Sequence, residues 1–392
     1  MRVVFPYVAQ LHQVLHSLPI AAELALRHPN VEVHAAGASA RHVDFVRHLL
    51  ARYAPQARVR VDRLRTPLLT RWRYRKKSRL LLSNWLYFRS FDAIVTPERT
   101  SLVLRRFGLG RTRLIWTSHG AGDRAVGFAE DIKEFDYVVI AGPKLEQRLL
   151  AGNLIRPGHY ATGVYAKFDW LRRTASAARL FDNDRPVVLY SPHFRMQLGS
   201  WPTMGKTILN FFATHPEWNL IFAPHVRMFD PPTQERYRAF DKYLGLPNVR
   251  IDLGSEQSVD MTYLNAADLY LGDVSSQVAE FVCRPRPCLF LNAHGVEWRG
   301  DPNYRCWELG PVIDDASHLG AALTRALDTH DEFLAVQKRY VAETFEEPQG
   351  LSSSALGADA IVGYLESGAG VSRKGVQGDV ETDASFGNVL RL

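Results

Sequence analysis

The sequence predicts an α/β protein of two Rossmann-like halves that face each other across a cleft. Three observations carry this. Short apolar runs alternate with helical segments from the first residues, which implies parallel sheet covered on both faces. The alternation breaks around residues 158–170 and restarts as a second series of similar size. A length of 392 residues is also too much for one ordinary core and suits two domains.

Taken in order, the strands of the first half are expected over residues 3–7, 31–35, 93–96, 114–116 and 138–140, with helices over 11–27, 40–52 and 145–150. The second half places strands over 187–190, 220–223, 249–251, 269–271 and 288–291, with helices over 204–214, 234–244, 259–266 and 276–282. Helical segments over 316–327, 331–343 and 353–365 close the pattern. The domain reading is 1–165 for the acceptor half and 166–345 for the donor half. A C-terminal helix over 346–367 follows, and a Gly/Ser/charge-rich tail over 368–392 is expected to be disordered. No internal sequence repeat relates the halves.

Composition narrows the setting. Apolar residues make up 46% of the chain, as in folded globular proteins. Cys283, Cys288 and Cys306 lack the paired spacing of a zinc site and read as reduced thiols. The first residues form no signal-like apolar core, and no run of about 18 apolar residues suggests a spanning helix. The expected location is cytoplasmic, peripheral on the inner face of the cell membrane.

The net charge of +7 is concentrated in residues 58–89, where Arg71, Arg73, Arg75, Lys76 and Lys77 interleave with Trp72, Tyr74 and Trp85. Cations, aromatics and leucines mixed in this way suit an anionic membrane surface or a polyanionic acceptor. The plain alternative is a solvated basic loop whose aromatics belong to the core. No nucleic-acid partner is expected, because no binding module accompanies the patch.

Ligands of parallel α/β sheets gather at the carboxyl ends of the strands. Ser118-His119-Gly120-Ala121-Gly122 follows one strand, and an imidazole there can act as a base toward a hydroxyl. Pro192-His193-Phe194-Arg195 and Pro224-His225-Val226-Arg227 follow two others. Each is a proline, a histidine and an arginine two residues on, and the pair would line one rim with donors suited to a pyrophosphate. Asp273-Val274-Ser275-Ser276 ends a further strand and opens a helix containing Glu280, which offers an anion site without a lysine. The sequence has no G-x-x-x-x-G-K-[ST] loop, no G-x-G-x-x-G after the first strand, no G-x-S-x-G elbow and no H-E-x-x-H helix. No cofactor and no protein-held metal are therefore expected.

The run from Ser258 through Asp268-Leu269-Tyr270-Leu271-Gly272-Asp273-Val274-Ser275-Ser276, Glu280-Phe281 and Arg286-Pro287 resembles the signature of CDP-glycerol glycerophosphotransferases. These are GT-B-fold enzymes that build teichoic-acid and related capsule polymers. His119-Gly120 resembles the family's His-Gly motif, Ser191-Pro192-His193-Phe194-Arg195 its donor-side strand end, and Pro224-His225 its phosphate-contacting histidine. Thr162-Gly163, Lys167 and Asp169 echo its interdomain motif. The resemblance spans roughly residues 112–295. It implies a GT-B fold, with His119 and His225 catalytic and His193, Arg195, Arg227, Asp273, Ser275, Ser276 and Glu280 holding the donor. Arg71, Arg73, Arg75, Lys76 and Lys77 would meet the acceptor or membrane. The implied partners are a CDP-alcohol or nucleotide-sugar donor and a lipid-linked or polymeric hydroxyl acceptor. Trp116 sits three residues before His119 and Arg124 stands where the family has lysine, so the donor is left open. Another GT-B enzyme, either a nucleotide-sugar glycosyltransferase or a UDP-sugar 2-epimerase, remains an alternative, as does a non-catalytic protein that binds anionic polymer or lipid.

Overall fold

The structure is a computed structural model that describes residues 1–66, 76–118, 120–123, 128–171, 179–346 and 350–368. Its first sheet contains β1 (Arg2–Tyr7), β2 (Glu32–Gly37), β3 (Val59–Arg63), β4 (Ala93–Thr96), β5 (Arg113–Thr117), β6 (Tyr137–Val139) and β7 (Tyr160–Ala161). The second contains β8 (Val187–Ser191), β9 (Asn219–Phe222), β10 (Val249–Ile251), β11 (Leu269–Gly272), β12 (Cys288–Leu291) and β13 (Val312–Ile313). The spatial orders are β3-β2-β1-β4-β5-β6-β7 and β10-β9-β8-β11-β12-β13, and every pairing is parallel. Each order reverses once, between β1 and β4 and between β8 and β11. Those reversals are the switch points at which open parallel sheets bind ligands.

The central strands are apolar on both faces because helices cover both. Val3, Val4 and Phe5 of β1 and Leu269, Tyr270 and Leu271 of β11 have no exposed surface. Strands β3, β7 and β13 were not expected. The last two have two residues each, and β3 alternates Val59, Val61 and Arg63 with Arg60 and Asp62 at the sheet edge. β3 is broken up by charge and the other two are very short, so none of the three gives much apolar signal.

Local chemistry sets the helix boundaries. The segment expected as one helix over 11–27 divides into a 3-10 turn (Leu11–His16) and a helix (Leu18–Arg27), with Pro19 in the first helical turn. The side chain of Ser39 accepts the His42 amide and starts the helix Ala40–Tyr53. The expected helix over 234–244 is regular only over Gln234–Arg238, and that over 259–266 begins at Thr262 after a left-handed Met261.

The C-terminal helix Ser353–Ser367 crosses back to the N-terminal half. It packs on Leu18–Arg27, where Gly357 lies against Ile20 and Val164. Arg27 donates twice to Asp359, at 3.0 and 2.7 Å, and Tyr364 stacks on Tyr137 at 4.5 Å. Its start is held by Asp169, whose carboxylate accepts the Ser353 and Ser354 amides at 3.3 and 2.5 Å. A second tie joins the halves from below: Lys167 pairs with Glu280 at 2.6 Å while the Tyr165 hydroxyl donates to the same carboxylate at 2.5 Å. The interdomain Lys167 and Asp169 are thus braces of the two-domain arrangement. Among the described residues, no helix is long and apolar enough to cross a membrane.

Candidate active site in the interdomain cleft

The loops at the carboxyl ends of β1, β4 and β5 meet those of β8, β9 and β11 around a cavity of about 910 Å³. The N-terminal half contributes Gln10, His12 and His16 after β1, Glu98, Arg99 and Thr100 after β4, and Ser118, Gly120 and Gly122 after β5. The C-terminal half contributes His193, Phe194, Arg195, His225, Arg227, Ser275 and Ser276. Strand ends from both switch points therefore converge on one volume.

The two Pro-His-x-Arg segments adopt the same local geometry. The backbone amide of Arg195 donates to His193 Nδ1 at 3.0 Å, and that of Arg227 donates to His225 Nδ1 at 3.2 Å. A ring nitrogen that accepts carries no proton, so each imidazole is the tautomer protonated at Nε2 and presents one N–H donor. The spacing of histidine and arginine thus does more than supply charge, because the arginine's own backbone sets the tautomer of the histidine before it. Phe194 stacks on the His193 ring and lies tilted against that of His225, each at 4.6 Å, and the Arg227 guanidinium lies 4.9 Å over the Phe194 ring. From the opposite half, His12 meets His225 edge to face at 5.9 Å.

Burial, with Arg227 nearby, pushes the His225 imidazole down to about 4, so at neutral pH it is an uncharged donor. Its folded-state value lies below the ordinary 6.5. The stability it contributes is complete above about pH 6.5 and is lost progressively as the pH falls toward about 4. His225→Gln is therefore expected to flatten the loss of melting temperature between pH 6.5 and 4 relative to wild type, measured by thermal denaturation in matched buffers.

Ser275 and Ser276 reach the cavity by a different arrangement from a side-chain helix cap. The Gln277 amide donates to Ser275 Oγ at 3.2 Å, and Ser276, at the N-cap position, makes no capping hydrogen bond. Ser276 instead packs against the loop after β5. A Cβ on Gly120 would lie 3.1 Å from Ser276 Oγ, and one on Gly122 would lie 3.2 Å from Ser276 Cβ; Gly120 also has φ +88°. The glycines of the His-Gly-Ala-Gly segment are what allow this close approach of the two halves.

Two acids expected at the donor lie behind the cavity wall instead. Asp273 is fully buried, and its Oδ2 accepts the His193 and Ser200 amides at 2.8 and 3.0 Å, which fixes the loop that carries His193. Burial raises its carboxyl to about 6. Glu280 is buried against Lys167 and Tyr165, since a carboxylate this deep needs a cation and a donor around it. Both position other groups and do not line the cavity. Asp273→Ala leaves two amides without an acceptor and is expected to cost about 2 kcal/mol in urea denaturation. It should also weaken nucleotide binding through the displaced His193.

Sequence reasoning missed a further cluster at the cavity floor. Asp123 Oδ1 accepts from Lys144 Nζ at 2.8 Å, and its Oδ2 accepts from the Tyr340 hydroxyl at 2.8 Å and the Cys306 amide at 3.0 Å. Lys144 also donates to the Ala121 carbonyl at 3.1 Å. Burial pushes the Lys144 ammonium down, and Asp123 opposes this. Of the acceptor-side residues, Lys76 and Lys77 border the cleft, with Lys77 paired to Glu98 at 3.1 Å. His119, Arg71, Arg73, Arg75 and the tail over 369–392 lie outside the described residues, as does Arg124.

The two sheets, their order and the cleft between them define a GT-B fold. No family model and no curated protein sequence matches the chain. Among solved structures it is similar to the wall teichoic acid polymerase TagF, with a TM-score of 0.64 at 13% identity over 94% of this chain and 89% of that one. It is also similar to UDP-GlcNAc 2-epimerase from Neisseria meningitidis, with a TM-score of 0.57 at 13% identity over 94% of this chain and 100% of that one. Sucrose-phosphate synthase from Thermosynechococcus elongatus matches with a TM-score of 0.53 at 16% identity over 94% of this chain and 100% of that one.

Proposed function

We propose that this chain transfers glycerol phosphate, or a related polyol phosphate, from a CDP-activated donor to a hydroxyl acceptor in the synthesis of a cell-surface polymer. The observation that carries the reading is the pair of Nε2–H imidazoles, His193 and His225, beside Arg195, Arg227, Ser275 and Ser276 on the C-terminal wall of the cleft. Fixed donors and guanidinium groups around one volume suit a pyrophosphate, and phosphoryl transfer depends mainly on positioning and charge stabilisation. The likeness to TagF, one structure of which was soaked with CDPG, supports the donor class together with the sequence signature around Ser275 and Ser276.

In this reading His119 removes the proton of the acceptor hydroxyl. The acceptor oxygen bonds to phosphorus, the bond to the CMP phosphate breaks, and its electron pair leaves with CMP. His225, His193 and Arg195 stabilise that departing charge, with Arg227, Ser275 and Ser276 on the donor phosphates. The acceptor is polymeric or lipid-linked, and Lys76 and Lys77 face it from the basic segment at an anionic membrane surface.

The likeness to UDP-GlcNAc 2-epimerase favours a second reading, a GT-B enzyme acting on a UDP-sugar. Thermal denaturation with CDP-glycerol, CDP-ribitol, CMP, UDP-GlcNAc and UDP separates the two, because a ligand of the folded state raises the melting temperature. Stabilisation by cytidine nucleotides that is lost in Ser275→Ala/Ser276→Ala supports the phosphotransferase. Stabilisation by uridine nucleotides alone transfers the assignment to the second reading.

A further inference from the structure

The half-buried His12 stands on the 3-10 turn Leu11–His16, beyond the carboxyl end of β1, and lines the cavity from the N-terminal half. Its ring meets that of His225 edge to face, with 5.9 Å between centroids, and His225 in turn lies 6.0 Å from His193. Three imidazoles thus follow one another across the cleft, two from the C-terminal half and one from the opposite half. The spacing suits a ligand oxygen between neighbours. An N–H···O bond spans about 2.9 Å, so one phosphate group can touch adjacent rings.

The turn that carries His12 is pinned on three sides. His42 Nε2 donates to the Ala9 carbonyl at 2.7 Å, which ties the loop after β1 to the helix Ala40–Tyr53. The Gln13 side-chain amide donates to Glu98 at 2.8 Å, which ties the same turn to the loop after β4. His16 meets Tyr165 edge to face at 5.4 Å, and the Tyr165 hydroxyl belongs to the interdomain tie on Glu280. A ring held in this way loses little further freedom when a ligand arrives. Lys77 and Arg99, cations of the same half that border the cavity, are committed to Glu98 and Asp131 at 3.1 and 2.6 Å. His12 instead faces the imidazole donors of the opposite wall.

We infer that His12 contacts the transferred phosphoryl group of the donor, so that this group is gripped from both halves of the cleft. The inference rests on the phosphotransferase reading and deepens it. The CMP phosphate stays with the C-terminal wall, and the group in transfer lies between that wall and the acceptor half, where His12 stands. The imidazole donates a ring N–H to a non-bridging oxygen of that group, beside the contact from His225. Fixed donors of this kind hold the charge that phosphoryl transfer places on those oxygens.

The test is calorimetric binding of CDP-glycerol and of CMP to the full chain, in wild type, His12→Ala and His12→Gln. CMP lacks the transferred group, so it reports on the C-terminal wall alone. His12→Ala should weaken CDP-glycerol binding roughly tenfold or more, the loss of a hydrogen bond to a charged group, and leave CMP affinity at the wild-type value. His12→Gln keeps an N–H of similar reach and should recover part of the CDP-glycerol affinity. Wild-type binding of CDP-glycerol by His12→Ala overturns the assignment. A parallel loss of CMP affinity overturns it too, because the ring would then only shape the wall around His225. Equal losses in the two variants would give the ring a packing role and remove the hydrogen bond. Wild type that binds UDP-GlcNAc and not CDP-glycerol refutes the phosphotransferase reading itself, and the assignment falls with it. That outcome is read from wild type alone, so the two failures are distinct.

Discussion

Lys144→Met is expected to destabilise the chain by about 3–5 kcal/mol, because it leaves the Asp123 carboxylate buried without its cation. Lys144 and Asp123 are both buried, and Asp123 also receives the Tyr340 hydroxyl and the Cys306 amide. One side chain thus joins the loop after β5 to the helix His330–Thr344 and to the turn Arg305–Leu309. The same loop lies against Ser276 through Gly120 and Gly122, so the loss should extend to the cleft. Urea denaturation measures the stability, and nucleotide titration of the protein that remains folded measures the cleft. The double variant Asp123→Asn/Lys144→Met removes both charges and should recover much of the stability, since a neutral pair is cheaper to bury than a lone carboxylate. A single variant as stable as wild type would mean that the pair holds nothing together.

His225→Ala is expected to lower transfer by roughly a hundredfold or more while leaving the fold intact. The imidazole is an uncharged donor whose Nε2–H is oriented by the Arg227 amide, and under the proposed function its removal deletes one preorganised contact to the leaving phosphate. The loss should fall on kcat more than on KM if the contact strengthens as charge develops. His225→Gln, which keeps an N–H of similar reach, should recover part of it. His193→Ala should behave in parallel, since the two rings share one geometry. Comparable loss of nucleotide affinity and of kcat would point instead to ground-state binding.

Much of this arrangement was legible in the sequence. Strands β4 and β12 occupy the residues that their apolar runs indicate, because a strand buried on both faces writes a continuous signal. Edge strands do not, and β3 was hidden among arginines. The two Pro-His-x-Arg endings were visible as strings, and the fold brings them to the same rim. Their shared tautomer was not visible, since it depends on a backbone amide turning toward a ring nitrogen.

Acids were the weakest point. An aspartate after a strand can face the cleft or turn inward, and Asp273 turns inward to hold the His193 and Ser200 amides. Glu280 looks like part of a donor signature, but its partners Tyr165 and Lys167 lie more than a hundred residues away, at separations of 115 and 113. The Asp123–Tyr340 contact spans 217 residues. No spacing rule reaches such pairs, and only the closure of the two halves brings them together. His12 belongs to no motif in the sequence, and the fold places it on the cleft wall facing His225.

The activity proposed for this cleft is transfer of a polyol phosphate from a cytidine donor. The most direct test is release of CMP from CDP-glycerol by the purified full chain, with octyl glycerophosphate as acceptor and a chromatographic readout of both products. Acceptor-dependent CMP release is expected together with a product one glycerol phosphate longer, both lost in Ser275→Ala/Ser276→Ala. Release of UDP from UDP-GlcNAc, or its epimerisation, with no turnover of CDP-glycerol would contradict it.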